Sequence, residues 1–179
     1  KLTGWSLYSV PCISPPADFF QLLSNKKFTA TCWFRTPAEL DYIEEPDMFH
    51  DVFGHAPPLT NDDYCAFFDA LGNIAIKHIN NEEVITMLQR LYWFTIEFGL
   101  LSENNEVKIY GAGIISSKGE TLHALSNKPK KRKYNVAEIM RHPFRNDVIQ
   151  DEYYVIDSFA QLKNSISEIE SEVNAIIRL

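Results

Sequence analysis

The stretch Asp47-Met48-Phe49-His50-Asp51-Val52-Phe53-Gly54-His55 carries two histidines five residues apart. A second stretch, Leu91-Tyr92-Trp93-Phe94-Thr95-Ile96-Glu97-Phe98-Gly99, carries one carboxylate in an otherwise apolar run. Around it Val84, Ile85, Leu88, Leu91, Tyr92, Phe94 and Ile96 recur at helical spacing, which predicts one helix over 82–100. Asn81 is placed to cap it, Glu82 and Glu83 suit its positive end, and Gly99 marks its exit. Residues three and four apart on a helix are neighbours, so Glu97 is expected among Trp93, Phe94, Leu100 and Leu101. An ionised carboxylate there must find a partner, because burying it alone is costly. A hydrogen bond or an arginine is one answer, and a metal cation is another.

The histidines favour the cation. Five residues along a straight α-helix turn through about 500°, which separates His50 from His55. Gly54 is read as ending that helix and swinging His55 back beside His50, with Pro57 and Pro58 barring continuation. Two imidazoles and a carboxylate with open positions suit non-haem Fe(II); tetrahedral zinc with a bound water is the rival.

The 179 residues, 45% hydrophobic and 13% aromatic, suffice for one domain with its own core. A net charge of −7 argues against nucleic acid and against an anionic membrane surface. No run is apolar for the length of a membrane span, and no secretory signal opens the chain. Cys12, Cys32 and Cys65 are irregularly spaced and read as reduced thiols, which points to the cytoplasm. The opening Lys1-Leu2-Thr3-Gly4-Trp5 reads as the interior of a longer protein, so residues 1–179 are expected to be a catalytic domain shortened at its N-terminus.

Along the chain, residues 1–14 read as loop or extended, 17–24 as a short helix behind Pro15 and Pro16, and 28–35 as an alternating strand or extended segment. Asn61 caps a helix to about Ile79, within which Gly72 marks close packing. Residues 102–106 read as a loop, 107–110 as a strand, and Gly111-Ala112-Gly113 as a close backbone approach. A helix over 117–126 precedes the basic run Lys128-Pro129-Lys130-Lys131-Arg132-Lys133, read as a solvated loop. A helix over 136–141 and a strand over 152–157 follow. From Ser158 one amphipathic helix, about 158–178, carries Phe159, Leu162, Ile166, Ile169, Val173 and Ile176 as a seam. That seam is read as packing on the domain's own core, consistent with a monomer or a weak homo-oligomer. The fold class is mainly α with minor β.

Three runs in order, Glu45 to Pro57, Tyr92 to Gly99 and Tyr110 to Ser117, resemble the pterin-dependent aromatic amino acid hydroxylases, and most closely the bacterial phenylalanine 4-monooxygenases. The resemblance implies that family's single-domain catalytic fold. It implies Fe(II) on His50, His55 and Glu97, a tetrahydropterin cofactor, O2 as co-substrate and an aromatic amino acid, phenylalanine first, as substrate. Val10, Ile13, Phe19 and Tyr92 match pterin-facing positions. Arg35 matches the residue that pairs with the substrate carboxylate, Asp47 the one that orients it, and Trp93 the ring-pocket aromatic. Asp51 matches an acidic neighbour of the metal, and Ser116 a hydroxyl near the metal-bound histidine and the substrate. Cys12 stands where a glycine is usual, Gln89 where a small residue is usual, and Ile43 and Glu44 depart beside the substrate segment. The rivals are a zinc hydrolase with Asp51 as base and a non-catalytic binding module.

Overall fold

The chain enters as a β–α–β unit in the computed structural model, which describes residues 2–40 and 45–178. Strands β1 (Ser6–Val10) and β2 (Lys27–Thr31) pair in parallel across α1 (Pro16–Leu23). Pro16 opens α1, where a missing N–H costs nothing. In β2, Phe28 and Ala30 are buried as their alternation predicts, and Thr31 is buried beside them. After the π turn His50–His55 come α2 (Asp62–Lys77) and α3 (Glu82–Tyr92). Asn61 accepts from the N–H groups of Asp63 and Tyr64 at 3.0 Å, and Asn81 from that of Val84 at 3.2 Å. These caps satisfy orphan donors at both helix starts.

A second π turn, Trp93–Glu97, continues α3. Strands β3 (Leu100–Glu103) and β4 (Glu106–Ile109) then form a hairpin, followed by α4 (Ala112–Ile115), α5 (Lys118–Leu125), β5 (Lys130–Lys133), α6 (Val136–Arg141) and β6 (Glu152–Ile156). Helices α7 (Phe159–Asn164) and α8 (Ile166–Ile177) complete the described chain. The second sheet has the order β4-β3-β6-β5, antiparallel in its hairpin and parallel elsewhere. The class is mainly α, as expected, with six strands among the described residues where two or three were expected. No helix among the described residues is long and apolar enough to cross a membrane.

The core gathers Phe67, Phe68 and Leu71 of α2, Leu88 and Leu91 of α3, and Leu162, Ile169 and Val173 of the C-terminal helices. Each such side chain stabilises the fold by about 1.5–3 kcal/mol through burial. The C-terminal seam is therefore used inside the domain. It is not one helix, however. The Ser165 hydroxyl donates to Leu162 O at 2.7 Å and meets Tyr134 Oη at 2.8 Å, and the helix restarts there.

Other expectations need correction. Residues 100–103 are strand, so Leu100 and Leu101 are not helical neighbours of Glu97. The expected loop at 102–106 is a hairpin turn, because Asn104 and Asn105 both take left-handed φ, 52° and 63°. The basic run is an edge strand, with Lys130 and Arg132 both hydrogen-bonded to Glu152 of β6. Cys12 takes no positive φ, so its replacement of a glycine leaves the backbone unstrained. Ile43 and Glu44 lie outside the described residues.

Gly54 is the largest correction. It does not stop a helix; it sits inside the π turn with no positive φ. Its role is contact. A Cβ there would come within 2.6 Å of Ala112 Cβ and 2.9 Å of Ala112 Cα. Gly111 likewise lies against Glu97 O and Gly99 N, and its own N–H donates to Gly99 O at 3.0 Å. The segment 111–113 thus wedges against both π turns. Gly54→Ala should cost about 1–3 kcal/mol, as overpacking does, and Ala112→Gly in the same chain should recover part of it. Urea unfolding of the wild type and the two variants checks this. An exposed helical glycine would show the opposite sign, a gain of about 0.5–1 kcal/mol on replacement by Ala.

Candidate active site

In a π turn the i→i+5 hydrogen bond places residues five apart one above the other. His50 and His55 are five apart, at the first and last positions of such a turn. Their Nε2 atoms face each other at 2.9 Å. Glu97 closes the second π turn, where Phe98 N–H donates to Trp93 O at 2.8 Å. Its Oε1 lies 3.1 Å from His55 Nε2 and its Oε2 3.4 Å from His50 Nε2. Two imidazole nitrogens and a carboxylate therefore converge on one point, a donor set that fits a divalent cation.

Asp51 is also near, with a ligand atom of His50, Asp51 and His55 all within 4.8 Å of one another. Its Oδ2, however, accepts from Thr31 N–H at 2.7 Å and from Thr31 Oγ1 at 2.8 Å. Both Glu97 oxygens instead face the imidazoles, which makes Glu97 the better-placed third ligand.

Burial alone would raise the Glu97 carboxyl, but His55, His50 and a hydrogen bond from Tyr92 outweigh it and hold it at about 2. Burial pushes His50 down, against the pull of Glu97. The direction that stands is an ionised Glu97, because the Tyr92 and His55 hydrogen bonds favour it independently. Neutral imidazoles and an ionised carboxylate are the forms that bind metal.

His50 is anchored on its other side. Its Nδ1 meets Ser116 Oγ at 2.8 Å, just beyond α4. Arg35 Nη1 donates to the Ser116 carbonyl, while Arg35 Nε and Nη2 grip Asp47 at 3.0 and 2.7 Å. Asp47 also accepts from the His50 N–H at 3.0 Å and the Arg35 N–H at 2.8 Å. Arg35, Asp47, His50 and Ser116 thus form a closed polar ring. Burial would raise the Asp47 carboxyl, but these hydrogen bonds hold it at about 2.

One cavity of about 380 Å³ opens over this centre. It is lined by Val10, Ile13, Phe19, His50, Asp51, His55, Tyr92, Trp93, Glu97 and Ser116, together with Cys12 and Gln89. Arg35 and Asp47 do not line it; they reach it through Ser116. Phe19 meets Tyr92 edge-on, ring centres 5.2 Å apart. Sequence reading missed Thr31, which steadies Asp51, and Phe144, which stacks on Trp93 at 4.5 Å and also lines the cavity. Thr31 carried no signal beyond its place in β2, and Phe144 stands in an aperiodic loop.

The chain as a whole matches known proteins. Residues 1–178 match the family described as biopterin-dependent aromatic amino acid hydroxylases. The chain belongs to that family. It is 45% identical over 163 residues to a phenylalanine-4-hydroxylase of Ralstonia nicotianae, covering 90% of this chain and 52% of that protein. It is 34% identical over 171 residues to the human tyrosine 3-monooxygenase, covering 96% of this chain and 32% of that protein. The crystal structure of Chromobacterium violaceum phenylalanine hydroxylase with bound Fe(III) superposes with a TM-score of 0.92 at 39% identity, over 99% of this chain and 64% of that one. The family chain described here thus spans about half to two thirds of the bacterial relatives named.

The Asp47 value carries a sign. Its folded pKa lies below the unfolded value of 3.8, so its ionised form stabilises the fold above about pH 4 and that contribution is lost as pH falls towards 2. Asp47→Asn should start less stable at neutral pH, because it leaves Arg35 buried and unpaired, and should then fall less steeply between pH 4 and 2. Urea unfolding across that range reads the difference; parallel curves would contradict it.

Proposed function

We propose that this chain is the catalytic part of an iron- and tetrahydropterin-dependent monooxygenase that hydroxylates the ring of an aromatic amino acid, converting phenylalanine to tyrosine with O2. The observation that carries this is the convergence of His50, His55 and Glu97 at the wall of an aromatic-lined cavity. Relatives support it: bacterial proteins 40–45% identical are named phenylalanine-4-hydroxylases, and a C. violaceum structure holds Fe(III) and 7,8-dihydrobiopterin. When bound, the reduced pterin would supply two electrons and iron would activate O2, so that one oxygen atom enters the ring and the other leaves as water.

The chain's own residues do the rest. His50, His55 and Glu97 hold the metal. Ser116 and the Asp47 ring fix the His50 imidazole, and Thr31 fixes Asp51 beside it. Val10, Ile13, Phe19 and Tyr92 form the pterin face of the cavity. Trp93 forms the wall that orients the substrate ring. Arg35 lies behind Ser116 and not on the cavity wall; three of its five N–H donors are engaged in the polar ring, and the two left, one on each Nη, are those a substrate carboxylate would take. Enclosure of the three reactants excludes water and fixes their approach. The engaged Asp51 oxygen weighs against a zinc hydrolase with Asp51 as base, and the intact ligand set weighs against a non-catalytic module. We also place the protein in the cytoplasm, as a monomer or weak homo-oligomer; three free cysteines and the internally used C-terminal seam support this.

The test is tyrosine formed per tetrahydropterin oxidised. A carboxylate held by a charged fork contributes about 1.5–3 kcal/mol, so Arg35→Lys should lower kcat/KM by roughly ten- to more than hundred-fold. Trp93→Ala should oxidise pterin without matching product. Unchanged kcat/KM and full coupling in both variants would place the pocket elsewhere, and a wild-type preference for tyrosine or tryptophan would change the substrate.

A further inference from the structure

The cavity wall that holds Trp93 is built on a segment without regular structure, between α6 and β6. One buried side chain, Gln150, ties that segment together. Its Nε2 donates to Arg145 O and to Val148 O, both at 2.8 Å, which folds the segment back on itself. Its Oε1 accepts from Trp93 Nε1 at 3.1 Å. Its backbone N–H donates to Glu120 Oε1 at 2.9 Å. Glu120 is fully buried in α5 and also accepts from Tyr153 Oη.

The chemistry fixes the amide's orientation. An indole N–H only donates, so it must meet the oxygen; two carbonyls only accept, so they must meet the NH2. Both amide hydrogens are used. The same segment carries Phe144, which stacks on Trp93 at 17° with ring centres 4.5 Å apart. Trp93 also meets Phe98, again at 4.5 Å between ring centres. Stacking sets the plane of the indole but leaves it free to slide within that plane. A single directional bond at Nε1 removes that freedom.

We propose that Gln150 is a positioning residue for substrate: it locks the in-plane setting of Trp93 and, through the segment it closes, the seat of Phe144. This rests on the reading of Trp93 as the substrate-ring wall. Gln150 touches neither metal nor pterin-facing residues in the contacts above, so its influence should fall on substrate binding and coupling.

Two substitutions separate its two tasks. Gln150→Leu removes all three side-chain hydrogen bonds. Gln150→Glu keeps an acceptor for Trp93 but points an oxygen at two carbonyls, so it opens the segment. The first measurement is the Trp93 indole N–H resonance in metal-free protein, identified by its loss in Trp93→Phe. Gln150→Leu should shift it and speed its solvent exchange at least tenfold, while Gln150→Glu should keep it protected. The second is turnover with iron and a tetrahydropterin. Both variants should raise KM for phenylalanine at least fivefold and halve the tyrosine formed per pterin oxidised, with the smaller loss in kcat. An indole resonance unmoved in Gln150→Leu overturns the proposal. So does a displaced indole with unchanged KM and coupling, or a loss confined to kcat. If Gln150→Leu does not fold, Gln150→Glu alone decides through KM and coupling. A wild type that hydroxylates no aromatic amino acid overturns the functional reading instead, and the indole measurement with phenylalanine titrated in then judges Gln150 alone: ligand binding weakened less than twofold in the variants would end it.

Discussion

Everything at the centre depends on a backbone that winds by five instead of four. An α-helical His50–His55 segment would separate its imidazoles, and the π turn stacks them with Nε2 atoms 2.9 Å apart. The second π turn delivers Glu97 to the same point. Such turns form poorer hydrogen-bond ladders than α-helix and need support from outside. The segment 111–113 supplies it. Gly54 and Gly111 bring that segment's backbone onto both turns, and Ser116 at its far end reaches His50 Nδ1. One short piece of chain thus braces the two turns and orients a ligand.

The buried charges follow the same economy of placement. Asp47, Asp51 and Glu97 are each taken out of water, and each has polar partners. Asp47 has the Arg35 fork and two backbone N–H groups, and Asp51 has Thr31. Of the three, Glu97 alone is met by two imidazoles, groups whose nitrogens can take a cation. A buried carboxylate facing two histidine nitrogens with open cavity beside it is a better place for a cation than for a structural ion pair.

Much of this was legible in the chain. Asn61 and Asn81 announce helix starts, the expected 136–141 helix and 152–157 strand lie at Val136–Arg141 and Glu152–Ile156, and Gly72 does pack closely against α1. The convergence of a stranded carboxylate and two histidines was legible, and the family resemblance pointed to most of the residues that line the cavity. The π turns were not legible, because five residues are too few for an apolar pattern to separate one helical period from another. Gly54 misled for a related reason. Its meaning lies in Ala112, far along the chain, and local rules assign a glycine there to a helix end. Asn104-Asn105 carried a hairpin signal that the neighbouring glutamates masked. Gln150 and Phe144 stand in a segment with no period at all, where only tertiary contact gives a residue its role.

The central claim is that His50, His55 and Glu97 are one cation site made by two π turns. Thermal unfolding with and without added Fe(II), under anaerobic conditions, tests it most directly. A cation at about 100 times its Kd adds about 2.7 kcal/mol to the folded state, or about 5–10 °C in Tm for a domain of this size. The wild-type chain should show that rise, and His50→Ala, His55→Ala and Glu97→Gln should lose it. A wild-type Tm that Fe(II) leaves unmoved, or a Glu97→Gln variant that gains as much as wild type, would contradict it.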